Sequence, residues 1–270
     1  MNAAAELIQH CRTELRKVVV GQQEPIDHLV LTLLCGGHAL LEGVPGMAKT
    51  LLAKTLSRIL RIDYQRVQCT SDLMPADILG TNVLNAAAAA FVFHRGPVFT
   101  DLLLVDEINR MPPRTQAALL ECMEERQVTI DGVRHQLAPV FTVIGTENPI
   151  EFEGTYPLPE AQLDRFLLKI NIDYLSAEDE TQVLNNHHNG FDAHQLDRMA
   201  LNSVEGEQLL AAREEVKRVR IEDALFRYLV QLVRRTRDWP SISLGASPRA
   251  AVTLMLAAKG MAAMDGRDYL

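Results

Sequence analysis

No stretch of about eighteen apolar residues occurs in this 270-residue chain, so no segment is expected to enter a membrane. Nor is there a run of about five or six basic residues. With 27 Lys and Arg against 35 Asp and Glu, the net charge is −8, which argues against general affinity for nucleic acid or anionic lipid. The nearest thing to a basic cluster, residues 217–220 with Arg213 before it, is diluted by glutamates and reads as a solvated helix face. Cys11, Cys35, Cys69 and Cys122 show no C-x-x-C spacing. That argues against a zinc site or a disulfide framework and leaves them as small buried hydrophobes of a reducing compartment. The opening MNAAAELIQHCRTELRKVVV is amphipathic and of mixed charge, unlike a signal peptide. A cytoplasmic location is therefore expected. What remains is ordinary for a globular chain, 47% apolar and 23% charged, long enough for one large α/β domain and a smaller one.

Apolar residues recur at helical spacing over residues 3–17 and 26–35, and again in KTLLAKTLSRIL. Between and after them HALLEG, YQRVQCT, DLLLVDE and VFTVIGTEN read as strands, and PPRTQAALLECMEERQ as a helix opened by prolines. Strands alternating with helices predict a parallel sheet covered on both faces. Two segments interrupt this order. Residues 80–100 look like a β-rich insertion, and QVTIDGVRHQLAP, at about 127–138, is a hairpin with Asp131-Gly132 as its turn. After residue 176 the strands stop, and residues 205–217, 222–238 and 247–264 read as helices of a small all-α domain. The expected division is an α/β core over 1–175 and a helical domain over 176–270. The closing DGRDYL carries no obvious element, and the helical domain is expected to lack a helix or two.

The strongest chemical signal is LLEGVPGMAKT. A strand ends at Glu42, residues Gly43, Val44, Pro45, Gly46, Met47 and Ala48 form a loop, and Lys49, Thr50 and Leu51 open a helix. In that context backbone N–H groups and the helix N-terminus face phosphate oxygens. Lys49 would reach the β- and γ-phosphates of a nucleotide, and the Thr50 hydroxyl would ligate Mg²⁺. The strict phosphate-loop pattern has glycine where Ala48 stands, although alanine is tolerable at a helix start.

Asp106 and Glu107 follow directly on an apolar strand. Adjacent carboxylates at a strand end are costly unless a cation or a reaction uses them, although a solvated strand end is the plainer reading. Placed after a phosphate loop, Asp106 suits Mg²⁺ and Glu107 suits polarising an attacking water. A third strand delivers Asn148, whose amide can orient that water; the alternative is a turn-starting Asn-Pro. Arg165, in LPEAQLDRF, puts an obligatory cation where the chain turns towards a core strand, and an ion pair to Glu160 or Asp164 is one explanation. Arg249, at the start of a helix in GASPRAA, is unfavourably placed against the helix dipole, which hints at an anionic partner.

GVPGMAKT, VDEINRMPPRTQAALLECMEERQVTIDG and ENPIEFEGTYPLPEAQLDRF together resemble the MoxR family of AAA+ ATPases, over nearly the whole chain. The resemblance implies a helix-2-insert fold, a P-loop core with an α-helical lid, and makes Ala48 the usual residue at its position. It also implies a ring, usually a hexamer, with ATP and Mg²⁺ between neighbouring subunits. Arg165 would then be an arginine finger reaching a neighbour's γ-phosphate, Arg249 a sensor 2 arginine, and Gly21 and Gln22 the segment lying against adenine. Relatives act as chaperone-like partners of proteins with a von Willebrand factor A domain, in complex assembly or metal insertion. The run from Ala86 to Ala90 departs from the family's polar insertion turn and favours helix. His187-His188 lacks metal-ligand spacing and reads as solvated. Two other function classes stay open. A nucleic-acid motor would show DNA- or RNA-stimulated turnover, and a monomeric phosphoryl transferase would leave a phosphorylated acceptor.

Overall fold

Three of the expected strands are apolar almost without interruption, and the computed structural model, which describes residues 3–87, 89–149 and 154–270, buries them at the centre of a sheet. They are β1 (Ala39–Glu42), β5 (Leu102–Asp106) and β8 (Thr142–Glu147). The more polar β2 (Tyr64–Gln68) and β9 (Leu168–Asn171) take the edges, giving the order β2-β5-β8-β1-β9. Every pairing in this sheet is parallel. Successive side chains alternate between its two faces. Ala39, Leu41, Leu102, Leu104 and Ile144 join one core layer, while Leu40, Leu103, Val105 and Val143 join the other.

The first layer is closed by α1 (Ala3–Leu15), α2 (Gln23–Leu34) and α3 (Lys49–Ile59). The second is closed by α5 (Pro113–Glu125), which puts Leu119, Leu120 and Met123 against the sheet. Between β2 and β5 lies the expected insertion, a short α4 (Pro75–Leu79) and the hairpin of β3 (Gly80–Asn85) and β4 (Ala90–Arg95). Its base is pinched: a Cβ on Gly96 would lie 2.2 Å from the Ile78 carbonyl oxygen. The alanine run does not form the helix its propensity favours, because hairpin pairing overrides it. Asn85 Oδ1 accepts from the Ala87 N–H, Ala89 turns at φ 47°, and Ala90 already pairs in β4; Ala88 lies outside the described residues. The second hairpin, β6 (Gln127–Ile130) and β7 (Val133–Gln136), turns through Asp131 and Gly132, both at positive φ. The hairpins touch through Asn82 Nδ2 on Asp131 Oδ2 at 2.6 Å and a Phe93–His135 stack at 4.2 Å.

Arg165 follows α6 (Glu160–Leu163), a single turn capped by Pro159. Beyond β9 comes α7 (Ala177–His188), a helix the apolar pattern did not announce because none of its residues is buried. It is set instead by its start: Ser176 caps the Asp179 N–H, and acidic residues crowd the first turn. The helices α8 (Gly206–Arg218), α9 (Asp223–Arg237) and α10 (Pro248–Met264) follow the expected pattern closely. α8 and α10 pack on α1 and α2: Glu215 accepts from the Ala4 N–H, and Gly260 leaves room for Leu31 and Cys35. The closing residues, where no element was expected, fold back on the turn after α8, with the Leu270 N–H on the Arg220 carbonyl.

Arg213 corrects the expectation of a solvated basic face. It is 9% exposed and donates to the carbonyls of Leu33, Pro139 and Val140, joining α8 to the core, while Lys217, Arg218 and Arg220 are exposed. Burial, then the nearby Arg126 charge, brings its pKa down to about 10. Cys11, Cys69 and Cys122 are buried and Cys35 partly so. Burial pushes each thiol up to about 12, so none is a thiolate at neutral pH. Among the described residues no helix is long and apolar enough to cross a membrane.

His38, just before β1, is buried and neutral. Its Nδ1 accepts from the Val143 N–H, so Nε2 carries the proton and donates to the Met123 carbonyl. Burial above all, then the Arg126 charge, pushes its pKa down to about 3. The unfolded chain, with an ordinary histidine near ~6.5, takes up that proton first as pH falls. This contribution to stability is therefore whole above about 6.5 and declines by at most ~1.4 kcal/mol per pH unit below it. Denaturant unfolding followed from about pH 6.5 to 5 should show this slope. His38→Gln should flatten it, whatever that change does to absolute stability.

Candidate active site

The parallel sheet gathers the ends of β1, β5 and β8 along one edge, and most of the expected chemical residues lie there. After Glu42 the chain enters a loop in which Gly46 has φ 87° and Ala48, the cap of α3, has φ 58° and ψ 19°. A left-handed residue at that point turns successive N–H groups of the loop and first helical turn towards one hollow. Gly43 has no space for a side chain: a Cβ would sit 2.7 Å from the Ile172 carbonyl oxygen. Lys49 Nζ folds back over the loop, donating to the Gly43 carbonyl at 2.6 Å and the Glu147 carbonyl at 3.2 Å.

Asp106 is held from several directions. Thr146 Oγ1 donates to Oδ1 at 2.6 Å, and Arg66 donates to Oδ2 through Nη2 at 2.7 Å and Nε at 3.2 Å. Thr50 Oγ1 stands 3.4 Å from the same Oδ2. The Thr146 hydroxyl also accepts from the Glu107 N–H at 2.9 Å, so one threonine fixes both acidic positions. Glu107 adopts φ 56° and ψ 54°, uncommon for a residue with a side chain, and its carboxylate meets Arg110 at 2.8 Å. Asn148, 5% exposed, borders the same cavity, of about 710 Å³. The Thr50 hydroxyl and the Asp106 carboxylate are hard oxygen donors close enough to share one cation. They fit Mg²⁺, which usually takes one or two protein ligands and completes its shell with phosphate and water.

The far end of the cavity is an apolar slot, with Val18, Val19 and Val20 on one side and Leu175, Val183 and Phe191 on the other. Gln22 borders it and ties the two sides by donating to the Asp173 carbonyl at 2.9 Å. Gly21 contributes space: a Cβ there would lie 2.8 Å from Leu175 and 3.0 Å from Asp179. His187, exposed as expected, also borders this slot and stands edge-on to Phe191 at 5.7 Å. Pro45 to Leu51 line the loop end of the cavity, whereas Gly43 and Val44 do not border it. Arg66 was not singled out from sequence. Its signal was an arginine within the strand that pairs, in register, with the carboxylate-bearing one.

Arg165 and Arg249 do not line this cavity. Among the described residues Arg165 pairs with neither Glu160 nor Asp164, the local alternative, but through Nε with Glu124 Oε2 at 3.1 Å. Arg249 Nη2 donates to Oε1 of the same carboxylate. Glu124 lies in the last turn of α5, at the other end of the strands, where His38 bonds the Met123 carbonyl and the Leu167 N–H bonds the His38 carbonyl. A strand rises roughly 3.3 Å per residue, which puts residues 38 and 43 about 16 Å apart, beyond the reach of a side chain.

A family profile described as "ATPase family associated with various cellular activities (AAA)" matches residues 38–168, and one described as "AAA lid domain" matches residues 234–270. The chain is 42% identical to the uncharacterized protein YeaC of Bacillus subtilis, over 95% of its own length and 79% of that protein's. It is 38% identical to Chaperone MoxR1 of Mycobacterium tuberculosis, over 99% and 72%. Protein MoxR of Paracoccus denitrificans is 30% identical over 94% and 80%. A crystal structure from Cytophaga hutchinsonii, described only as that of a candidate ATPase, superposes with a TM-score of 0.87 at 42% identity, covering 99% of this chain and 82% of that one.

The tight packing behind the loop gives a direct check of its role. Gly43→Ala must push the loop away from Ile172, a backbone contact that cannot swing aside. Equilibrium titration with a fluorescent ATP analogue should show Kd raised at least about tenfold, roughly the loss of one charge-assisted hydrogen bond. Unchanged affinity would separate this loop from phosphate binding.

Proposed function

This chain belongs to the MoxR-type AAA+ ATPases, and on that footing we propose that it hydrolyses ATP in a hexameric ring of its own copies and uses the cycle to remodel or mature client protein complexes in the cytoplasm. The observation that carries this reading is a separation of charges. The phosphate loop, Asp106, Glu107 and Asn148 converge on one cavity, while Arg165 and Arg249 stand together at the other end of the strands. Copies packed head to tail would complete each cavity with a neighbour's arginines, and a closed rotation of that contact makes a ring.

In the proposed cycle the adenine enters the slot between Val20 and Leu175, and residues 1–175 act as the nucleotide-binding core with 176–270 as its helical lid. Lys49 exchanges its two carbonyl contacts for charged phosphate oxygens, a stronger class of hydrogen bond. Thr50 and Asp106 would hold Mg²⁺, which when bound neutralises charge on the β- and γ-phosphates. Glu107 polarises the attacking water and Asn148 orients it. Since Glu107 rests on Arg110, it must leave that ion pair to act, which keeps the base occupied until the site fills. Arg165 and Arg249 of the next subunit stabilise charge on the transferred phosphoryl group.

The chaperone-like role draws on the name Chaperone MoxR1 among the relatives. A partner with a von Willebrand factor A domain, and metal insertion into a client, are carried over from the family resemblance alone. The nucleic-acid motor finds no support in a chain of net charge −8.

The two-subunit site can be tested by mixing defective copies. Lys49→Ala lacks phosphate binding but keeps its arginines, and Arg165→Ala has the reverse defect. Each alone should lose at least about 100-fold in turnover. Mixed in equal amounts, random assembly pairs an intact cavity with an intact arginine at about a quarter of interfaces, and activity should return towards that fraction. A mixture no more active than its parts would contradict the shared site.

A further inference from the structure

We propose that Glu124 is a positioning residue that holds Arg165 and Arg249 side by side, so that a core arginine and a lid arginine meet a neighbour's triphosphate as one clamp; this rests on the two-subunit reading above. Three separate elements bring these groups together. Glu124 lies in the last turn of α5, Arg165 follows α6, and Arg249 is the second residue of α10.

Each of the helical placements is unfavourable alone. A carboxylate at a helix C-terminus and a guanidinium at a helix N-terminus both oppose the helix dipole. Together they offset one another, since the carboxylate receives Arg249 on one oxygen and Arg165 on the other. Two guanidiniums at such proximity would repel and splay without a shared anion. Arg126, next but one along the chain, is no competitor for Glu124. It turns inward in a left-handed conformation and donates to the carbonyls of Phe141 and Gly36.

The bonding also leaves the arginines usable. Among the described residues Arg165 is held through Nε alone, which leaves the Nη edge, the part of the fork that recognises phosphate oxygens, facing outward from that bond. One carboxylate against two guanidiniums leaves a net positive patch, and all three side chains remain partly exposed. The hydrogen bond from Arg249 above all, with the charges of both arginines, holds the Glu124 carboxyl below the usual range, so the anion is present at any neutral pH. A wholly local role for Glu124 would need no more than one of these partners. The shared arrangement makes the lid's position at Arg249 and the core's position at Arg165 depend on each other.

The test places the change in a subunit whose own cavity is already silent. Lys49→Ala and Lys49→Ala/Glu124→Gln are each mixed with Arg165→Ala, and steady-state ATP hydrolysis is measured. Glutamine keeps the shape of Glu124 and removes its charge, and assembly of both donors is checked by sedimentation. The expected result is rescue by Lys49→Ala and at least tenfold less rescue by the double variant. Rescue should largely return when Asp replaces Gln. Equal rescue by both donors would overturn the positioning role while leaving the shared site standing. Failure of Lys49→Ala itself to rescue would remove the shared site, and the positioning role with it. As a second readout, Glu124→Gln alone should bind a fluorescent ATP analogue as tightly as the unmodified protein while its kcat falls about tenfold. A matching loss of that affinity would mark Glu124 as a support of its own cavity, contrary to the proposal.

Discussion

A parallel sheet has two chemically different ends, and the use of this molecule follows from keeping them apart. At the carboxyl ends of β1, β5 and β8 the chain collects the phosphate loop, Asp106, Glu107 and Asn148. At the other end, where α5 finishes and β9 begins, it collects Arg165, Arg249 and Glu124. Parallel strands buried on both faces fix this polarity rigidly, because no strand can be reversed without exposing an apolar row. Arg165 and Arg249 therefore stand out of reach of the carboxylates in their own copy, and on the proposed function assembly would bring a neighbour's arginines to them.

In the single chain every charged group the proposed reaction uses is already occupied. Arg66 holds Asp106, Arg110 holds Glu107, Glu124 holds both distal arginines, and Lys49 lies on backbone carbonyls. Isolated charges in a half-buried cleft are costly, so pairing them stabilises the empty subunit. On the proposed function, filling the cavity would exchange these pairs for phosphate and for a neighbour's groups. Binding and rearrangement would then be one event, and the insertion begins at the element directly after β2, the strand that carries Arg66. The basic residues that do not take part are equally telling. Arg126 and Arg213 are sunk into the base of the fold, where they tie α5 and α8 to backbone carbonyls.

Much of this was legible in the sequence, for reasons that differ by residue. The alternation of β1, β5 and β8 and the loop of Gly43 to Ala48 are local patterns, and local patterns survive folding. The hairpin at Asp131-Gly132 was readable for the same cause. Helix α7 was not, since it buries nothing and so shows no apolar stripe; its capping serine was the available signal. The alanine run misled because strand pairing outweighed helix propensity. Partners far apart in sequence were invisible. Glu124 is 41 residues from Arg165 and 125 from Arg249, so it was not among the acids weighed as local partners of Arg165, Glu160 and Asp164. Arg213 was misread as solvated, because only the folded chain brings the Leu33 carbonyl beside it.

The central claim is that the arginine cluster serves a neighbour's nucleotide, and sedimentation velocity tests it most directly. Glu107→Gln should bind ATP without turning it over, so assembly can be followed at fixed occupancy. With Mg²⁺ and ATP it should sediment as a ring-sized species, and adding Arg165→Ala to it should weaken that species. A monomer under every condition, or a ring indifferent to both ATP and Arg165, would contradict the account.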